Sequence, residues 1–167
     1  AEQKGFQLLL EASAEIFGRH RFQGVIGGAV SSFDRRGEEL AHGLSLLEDH
    51  YPGRVSVSIG YQDVGVPLLS TDVFLMPSLN EPGGISQLEA FACGCLVVAR
   101  ATGGLRDTVR PLRTRGRQVR GNGFLFADFR SGAFADAMAR CAVFFEQADD
   151  TLLARARDNA RSSLPYW

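Results

Sequence analysis

Glu81 and Glu89, two carboxylates with seven residues between them, flank a diglycine in Asn80-Glu81-Pro82-Gly83-Gly84-Ile85-Ser86-Gln87-Leu88-Glu89. An apolar run, Asp72-Val73-Phe74-Leu75-Met76, precedes them and closes on Pro77-Ser78. That order predicts a buried strand, a glycine-bearing turn and a helix over Ile85 to Cys93. A helix start carries free backbone N–H groups and a partial positive charge, which suit a phosphate or pyrophosphate. Gly83, Gly84, Ile85 and Ser86 would supply those N–H groups, glycine letting the backbone approach closely. On a 3.6-residue period Ile85, Ser86 and Glu89 share one face, with Leu88, Phe91, Ala92 and Cys95 turned inward. An anion site beside two hydroxyl-accepting carboxylates implies a ligand with both phosphates and hydroxyls, such as a nucleotide-sugar.

The elements that must position these residues alternate along the chain. Helices are expected at Gly5 to Phe17, Glu38 to Leu47, Gln62 to Ser70 (short, because Gly65 and Pro67 weaken it), Ile85 to Cys93, Leu105 to Val109, Ser131 to Phe145 and Asp150 to Ser163. Strands are expected at Phe22 to Ile26, Val55 to Ile59, Asp72 to Met76, Leu96 to Ala99 and Gly123 to Phe126. The stretch from Arg110 to Arg120 reads as a mobile basic loop. Strands alternating with helices predict an α/β domain, Rossmann-like, with a parallel sheet covered by helices on both faces. In such a sheet ligands gather at the carboxyl ends of the strands, so Tyr61, Glu81 and Thr102-Gly103-Gly104, each just after a strand, should line one crevice.

Several motifs in order resemble those of a known family. The Glu81…Glu89 pair is similar to the E-x7-E pair of retaining glycosyltransferases of the GT-B fold. PSLNEPGGISQLEA, followed by Thr102-Gly103-Gly104-Leu105-Arg106-Asp107-Thr108-Val109, more specifically resembles bacterial glycogen synthases and plant starch synthases. Gln3-Lys4-Gly5 resembles their QKG element, and Gly121-Asn122-Gly123-Phe124-Leu125-Phe126 their GxGFxF turn and strand. The resemblance implies the C-terminal half of a GT-B fold that binds ADP-glucose and, with an N-terminal acceptor domain, passes glucose to an α-1,4-glucan with retention. It implies that Glu81 faces the donor sugar, Glu89 the ribose, Tyr61 the base, and that Lys4 neutralises the leaving diphosphate opposite the helix start. No metal or other cofactor is expected. It further implies one nucleotide-sugar-binding domain over residues 1–167, cut at both ends, the family's preceding strand and arginine falling before residue 1.

Each assignment has a plainer alternative. Glu81 could merely cap the helix at Ile85, and Glu89 could be a solvated helix glutamate. Lys4, the single lysine against seventeen arginines, could be a terminal charge, and Tyr61 a surface ring. A related glycosyltransferase with another nucleotide-sugar, or a non-catalytic binding relative, would share most of these features. His20, His42 and His50 show no metal-ligand spacing, and no nucleophile–base pair suggests a hydrolase. A net charge of −1 gives no global reason to expect nucleic acid or an anionic membrane. No apolar stretch nears the ~20 residues needed to span a bilayer. Cys93, Cys95 and Cys141 lie in apolar segments and read as buried reduced thiols, which together with the lack of a visible secretory leader predicts a cytoplasmic protein, or a plastid one if plant or algal.

Overall fold

The computed structural model describes residues 2–30, 33–60 and 65–164. A single 3-10 turn, Glu2–Lys4, leads into α1 (Phe6–Arg19), followed by β1 (Gly24–Gly28), α2 (Arg35–His50), β2 (Val55–Ile59), α3 (Gly65–Leu69) and β3 (Val73–Met76). Next come α4 (Ser86–Cys93), β4 (Leu96–Arg100), α5 (Gly103–Thr108), β5 (Arg113–Arg115), β6 (Gln118–Arg120), β7 (Gly123–Phe126), α6 (Ser131–Gln147) and α7 (Asp150–Arg161).

Strand β4 is the axis of the domain. It pairs in parallel with β3 on one side and β7 on the other. Leu96, Val97, Val98 and Ala99 are all essentially inaccessible. A strand covered on both faces needs an unbroken apolar run, and β-branched valines suit its pleat. Helix α6 covers one face of β4, while α4, α5 and α7 pack on the other. Phe91 from α4 and Phe134 from α6 are both 0% exposed, so each helical layer drives one aromatic into the sheet. Burying a side chain of that size contributes about 1.5–3 kcal/mol.

The parallel arrangement matches expectation, but the expected single sheet is two. Strands β1 and β2 pair in parallel with each other, separately from β3-β4-β7. Helix α2 packs on this smaller sheet. On its other face Val25 stands 72% exposed, and its cross-strand neighbour Ser56 is exposed too. Among the described residues, then, the smaller sheet is covered on one face only. The expected helix over Gln62 to Ser70 is described only as five residues, Gly65–Leu69.

Two more expectations change. The Arg110–Arg120 stretch is a β5–β6 hairpin rather than a loop, with Arg113 opposite Arg120 and Thr114 opposite Val119. Val119 packs toward the core while the arginines point to solvent, so a strand alternation was hidden beneath charge. In α4 the buried residues are Gln87, Ala90 and Phe91, and Ala92 is exposed. The helix is thus rotated by one residue from the apolar phase, because a polar side chain occupies an inward position.

Polar side chains splice the elements. Arg54 donates to the carbonyl oxygens of Phe17, His20 and Phe22 at 2.7, 2.5 and 2.9 Å, closing the end of α1 onto the start of β1. Asn122, 1% exposed, accepts from the Arg110 N–H at 2.7 Å and donates to Thr108 O and Ser163 Oγ at 3.0 and 2.8 Å. It therefore joins α5, β7 and the end of α7. Cys95 donates to Thr71 O, and burial pushes its thiol up to about 11. Burial likewise pushes the Cys141 thiol up to about 12.

Gly5 holds α1 against the β3 end. Its φ of 74° is left-handed, and a Cβ there would overlap the Pro77 carbonyl oxygen. Gly5→Ala is therefore expected to lower stability by at least about 2 kcal/mol, combining left-handed strain with the overlap. Gly132→Ala, in α6 with open space around it, should raise stability by about 0.5–1 kcal/mol. Urea titration of the two variants reads both signs. For the thiols, iodoacetamide at pH 8 should label half-buried Cys93 and spare Cys95 and Cys141 until denaturant is added. Since the folded chain keeps both protons beyond the pH at which an unfolded thiol ionises, stability should fall, not rise, as pH climbs above about 9.

Candidate functional site

Three segments converge around residues 77–84: the turn at Glu2–Lys4, the loop itself, and the start of α5. Leu79 N–H donates to Gln3 O at 2.9 Å, and Gln3 Nε2 donates back to Asn80 O at 3.3 Å. Gly104 N–H donates to Glu81 O at 3.1 Å. A Cβ on Gly103 would overlap the Glu81 carbonyl oxygen, and one on Gly104 would lie 2.5 Å from that of Gly83. The spacing of small residues in these motifs thus permits three backbones to touch.

Within this frame Lys4 Nζ donates to Glu81 Oε2 at 2.7 Å, and Ser78 Oγ lies 3.4 Å from the same oxygen. Glu81 is 12% exposed in its side chain and Lys4 54%. The family resemblance implied Glu81 at the donor sugar and Lys4 at the diphosphate, opposite the helix start; in the structure the two side chains are direct partners across 77 positions of chain. Nor does Glu81 cap the helix: α4 has no side-chain cap, and the Glu81 carboxylate is turned to Lys4 instead.

Helix α4 begins at Ser86, behind Gly84 with φ 65° and Ile85, which is 73% exposed. Its first turn carries no side-chain cap, so its leading N–H groups are not taken by a side chain; the same holds for α1, which follows the buried Gly5. By contrast, Asp34 caps α2 through Gly37 N–H at 2.9 Å and Asp149 caps α7 through Leu152 N–H at 2.8 Å. The Gly37 N–H and neighbouring cations hold the Asp34 carboxyl below its ordinary range. Ser86 is half-buried and Glu89 exposed, both on the outward side of α4. Thr102 precedes α5 without capping it, and its N–H donates to Arg100 O at 2.8 Å. Tyr61 lies outside the described residues.

Gln87 is the residue that sequence reasoning passed over. It is 0% exposed in the first turn of α4 and donates through Nε2 to Thr108 Oγ1 at 3.2 Å. Its polarity inside an apolar helix face was the available signal. Among the described residues no group of three or more His, Cys, Asp or Glu side chains could hold a metal ion. A groove of about 620 Å³ lies elsewhere, between the β5–β6 hairpin, β7 and α6, lined by Leu112, Phe124, Leu125, Val143 and Phe144. None of the motif residues named as candidate ligands lines it.

The family model described as "Glycosyl transferases group 1" matches residues 1–161. The chain belongs to that family. Its fold is accordingly the Rossmann-like half of a GT-B glycosyltransferase. A glycogen synthase of Desulfitobacterium hafniense is 35% identical over 168 residues, covering 99% of this chain and 34% of the relative. Another, from Alkalilimnicola ehrlichii, is 38% identical over 149 residues, 87% of this chain and 29% of the relative. The chain thus spans about a third of the length of these curated relatives. Among solved structures, the catalytic domain of starch synthase IV from Arabidopsis thaliana, bound to ADP and acarbose, superposes with a TM-score of 0.79. It is 22% identical and covers 97% of this chain and 32% of its own. A sucrose-phosphate synthase from Thermosynechococcus elongatus is 29% identical with a TM-score of 0.71, covering 98% of this chain and 38% of its own. No helix among the described residues is long and apolar enough to cross a membrane.

Lys4 is half-exposed but Glu81 is only 12% exposed, so the pair lies between a surface and a buried one. Lys4→Met is expected to lower stability by about 1–2 kcal/mol in thermal melts, more than an exposed pair and less than a fully buried one. A loss of several kcal/mol would make Lys4 a structural residue.

Proposed function

We propose that this chain is the donor-binding domain of a retaining glucosyltransferase of the glycogen and starch synthase type, passing glucose from ADP-glucose to an α-1,4-glucan. One observation carries the reading: a lysine–glutamate pair, 2.7 Å apart, beside the uncapped start of α4. In this reading the N–H groups of Gly83, Gly84, Ile85 and Ser86 hold the distal phosphate. Lys4 exchanges Glu81 for the diphosphate as its partner and balances charge on the leaving group. The released Glu81 carboxylate faces the sugar and favours positive charge developing at the anomeric carbon. Glu89, outward on α4, accepts hydrogen bonds from the ribose, Tyr61 stacks on the base, and Thr102-Gly103-Gly104 close the crevice. Two uncapped helix starts and a lysine supply the positive partners, so the reading is metal-independent.

The glycogen synthase relatives support the glucan acceptor, which an N-terminal domain would hold, with this domain forming a single unit over 1–167. The three free cysteines support a cytoplasmic location. A second reading, another nucleotide-sugar on this frame, is favoured by the 29% identical sucrose-phosphate synthase. Parallel titrations with ADP and UDP separate the two.

Calorimetry in the presence of a chelator tests the division of roles. Glu89→Ala should weaken ADP binding by roughly 1.5–3 kcal/mol, the loss of a hydrogen bond to a charged group. Glu81→Ala should leave ADP binding unchanged or slightly tighter, since it frees Lys4 and removes a group aimed at a sugar that ADP lacks. Equal losses in both variants contradict the assignment, as does binding abolished by the chelator.

A further inference from the structure

Gln87 sits fully buried beside the Gly83–Gly84 turn, and its Oε1 has no hydrogen-bond partner. The direction of its amide is fixed by Thr108. The single proton of that hydroxyl goes to Gly104 O at 2.8 Å, so toward Gln87 the hydroxyl can only accept, and Nε2 must face it at 3.2 Å. Both amide atoms lie 2.5 Å from where a Cβ on Gly84 would stand, which means the amide is pressed against that Cα. Gly104 in turn donates its N–H to Glu81 O. One relay therefore runs Gln87–Thr108–Gly104–Glu81 and braces the turn from behind.

Stability alone disfavours this choice. A methionine would fill the same volume without leaving an acceptor buried and unpaired. Local rules broken in this way cluster where a site must be held in a particular shape. We propose that Gln87 is a positioning residue: through Gly84 and the Thr108–Gly104 relay it holds the Gly83–Gly84 turn so that its backbone N–H groups address a nucleoside diphosphate. The inference rests on the donor-site reading above and adds to it a residue that touches no ligand.

The test uses Gln87→Met, Thr108→Val, Thr108→Ser and the Gln87→Met/Thr108→Val double variant, with ADP as probe. Gln87→Met should melt at or above the wild-type temperature yet bind ADP about tenfold or more weakly, with the Gly83 and Gly84 amide resonances shifted. Thr108→Ser keeps the hydroxyl and should bind as wild type. Thr108→Val should lose affinity like Gln87→Met, and the double variant should lose no more than either alone. Wild-type affinity in Gln87→Met overturns the inference, and so do additive losses in the double variant. Should Gln87→Met fail to fold, equal affinity in Thr108→Val and Thr108→Ser overturns it instead. Failure of the wild-type chain to bind ADP removes the donor-site reading and this inference together; binding that ignores all four variants removes this inference alone.

Discussion

Three backbone carbonyls, those of Pro77, Glu81 and Gly83, point at places where a side chain cannot fit, each against the Cα of a glycine from another segment. Gly5, Gly103 and Gly104 are those glycines. Everything else in the candidate site depends on this contact of backbone with backbone. It brings the 3-10 turn, the loop after β3 and the start of α5 within hydrogen-bond reach. It also sets Lys4 close enough to Glu81 for a direct ion pair. A methyl group at any of the three positions would have to wedge two segments apart, so the Gly103-Gly104 pair and the Lys4-Gly5 step express closeness more than flexibility.

The packing explains why a site stands where strand ends meet helix starts. Strand β4, buried on both faces, delivers its carboxyl end to Thr102 and α5, while β3 delivers its own to the loop. The helices that begin here, α1, α4 and α5, lack side-chain caps, as α6 does elsewhere, whereas aspartates cap α2 and α7. An aspartate cap occupies the N–H groups that an incoming phosphate would need. Leaving those groups bare costs roughly 1 kcal/mol of helix stability per end and keeps them available. The Lys4–Glu81 pair fits the same pattern, since its half-exposed lysine stands within reach of a more highly charged partner.

Much of the frame was legible because it is made of local signals. Val55–Ile59, Val73–Met76, Leu96–Arg100 and Gly123–Phe126 are apolar, β-rich runs bounded by glycine, proline or asparagine, and they appear as strands. The hairpin of Arg113–Arg115 and Gln118–Arg120 was not, because Val119 is its one inward residue and the others, mostly arginines, are exposed. The phase of α4 slipped by one residue since hydrophobicity was taken as the mark of burial and Gln87 breaks that rule. At the site, the residue list came from motif order, but the pairing of Lys4 with Glu81 joins positions 77 apart and follows from tertiary packing alone. The division into two sheets is likewise a tertiary fact, invisible to periodicity.

The groove along Leu112, Phe124 and Phe144 and the proposed donor site lie on different parts of the molecule. Which of them takes the ligand is the central question, and amide chemical-shift mapping with ADP-glucose answers it directly. The account predicts shifts concentrated at residues 83 to 89 and 102 to 104, with the Lys4 signal moving as it changes partner. Shifts confined to residues 111 to 125 and 140 to 148 would contradict it.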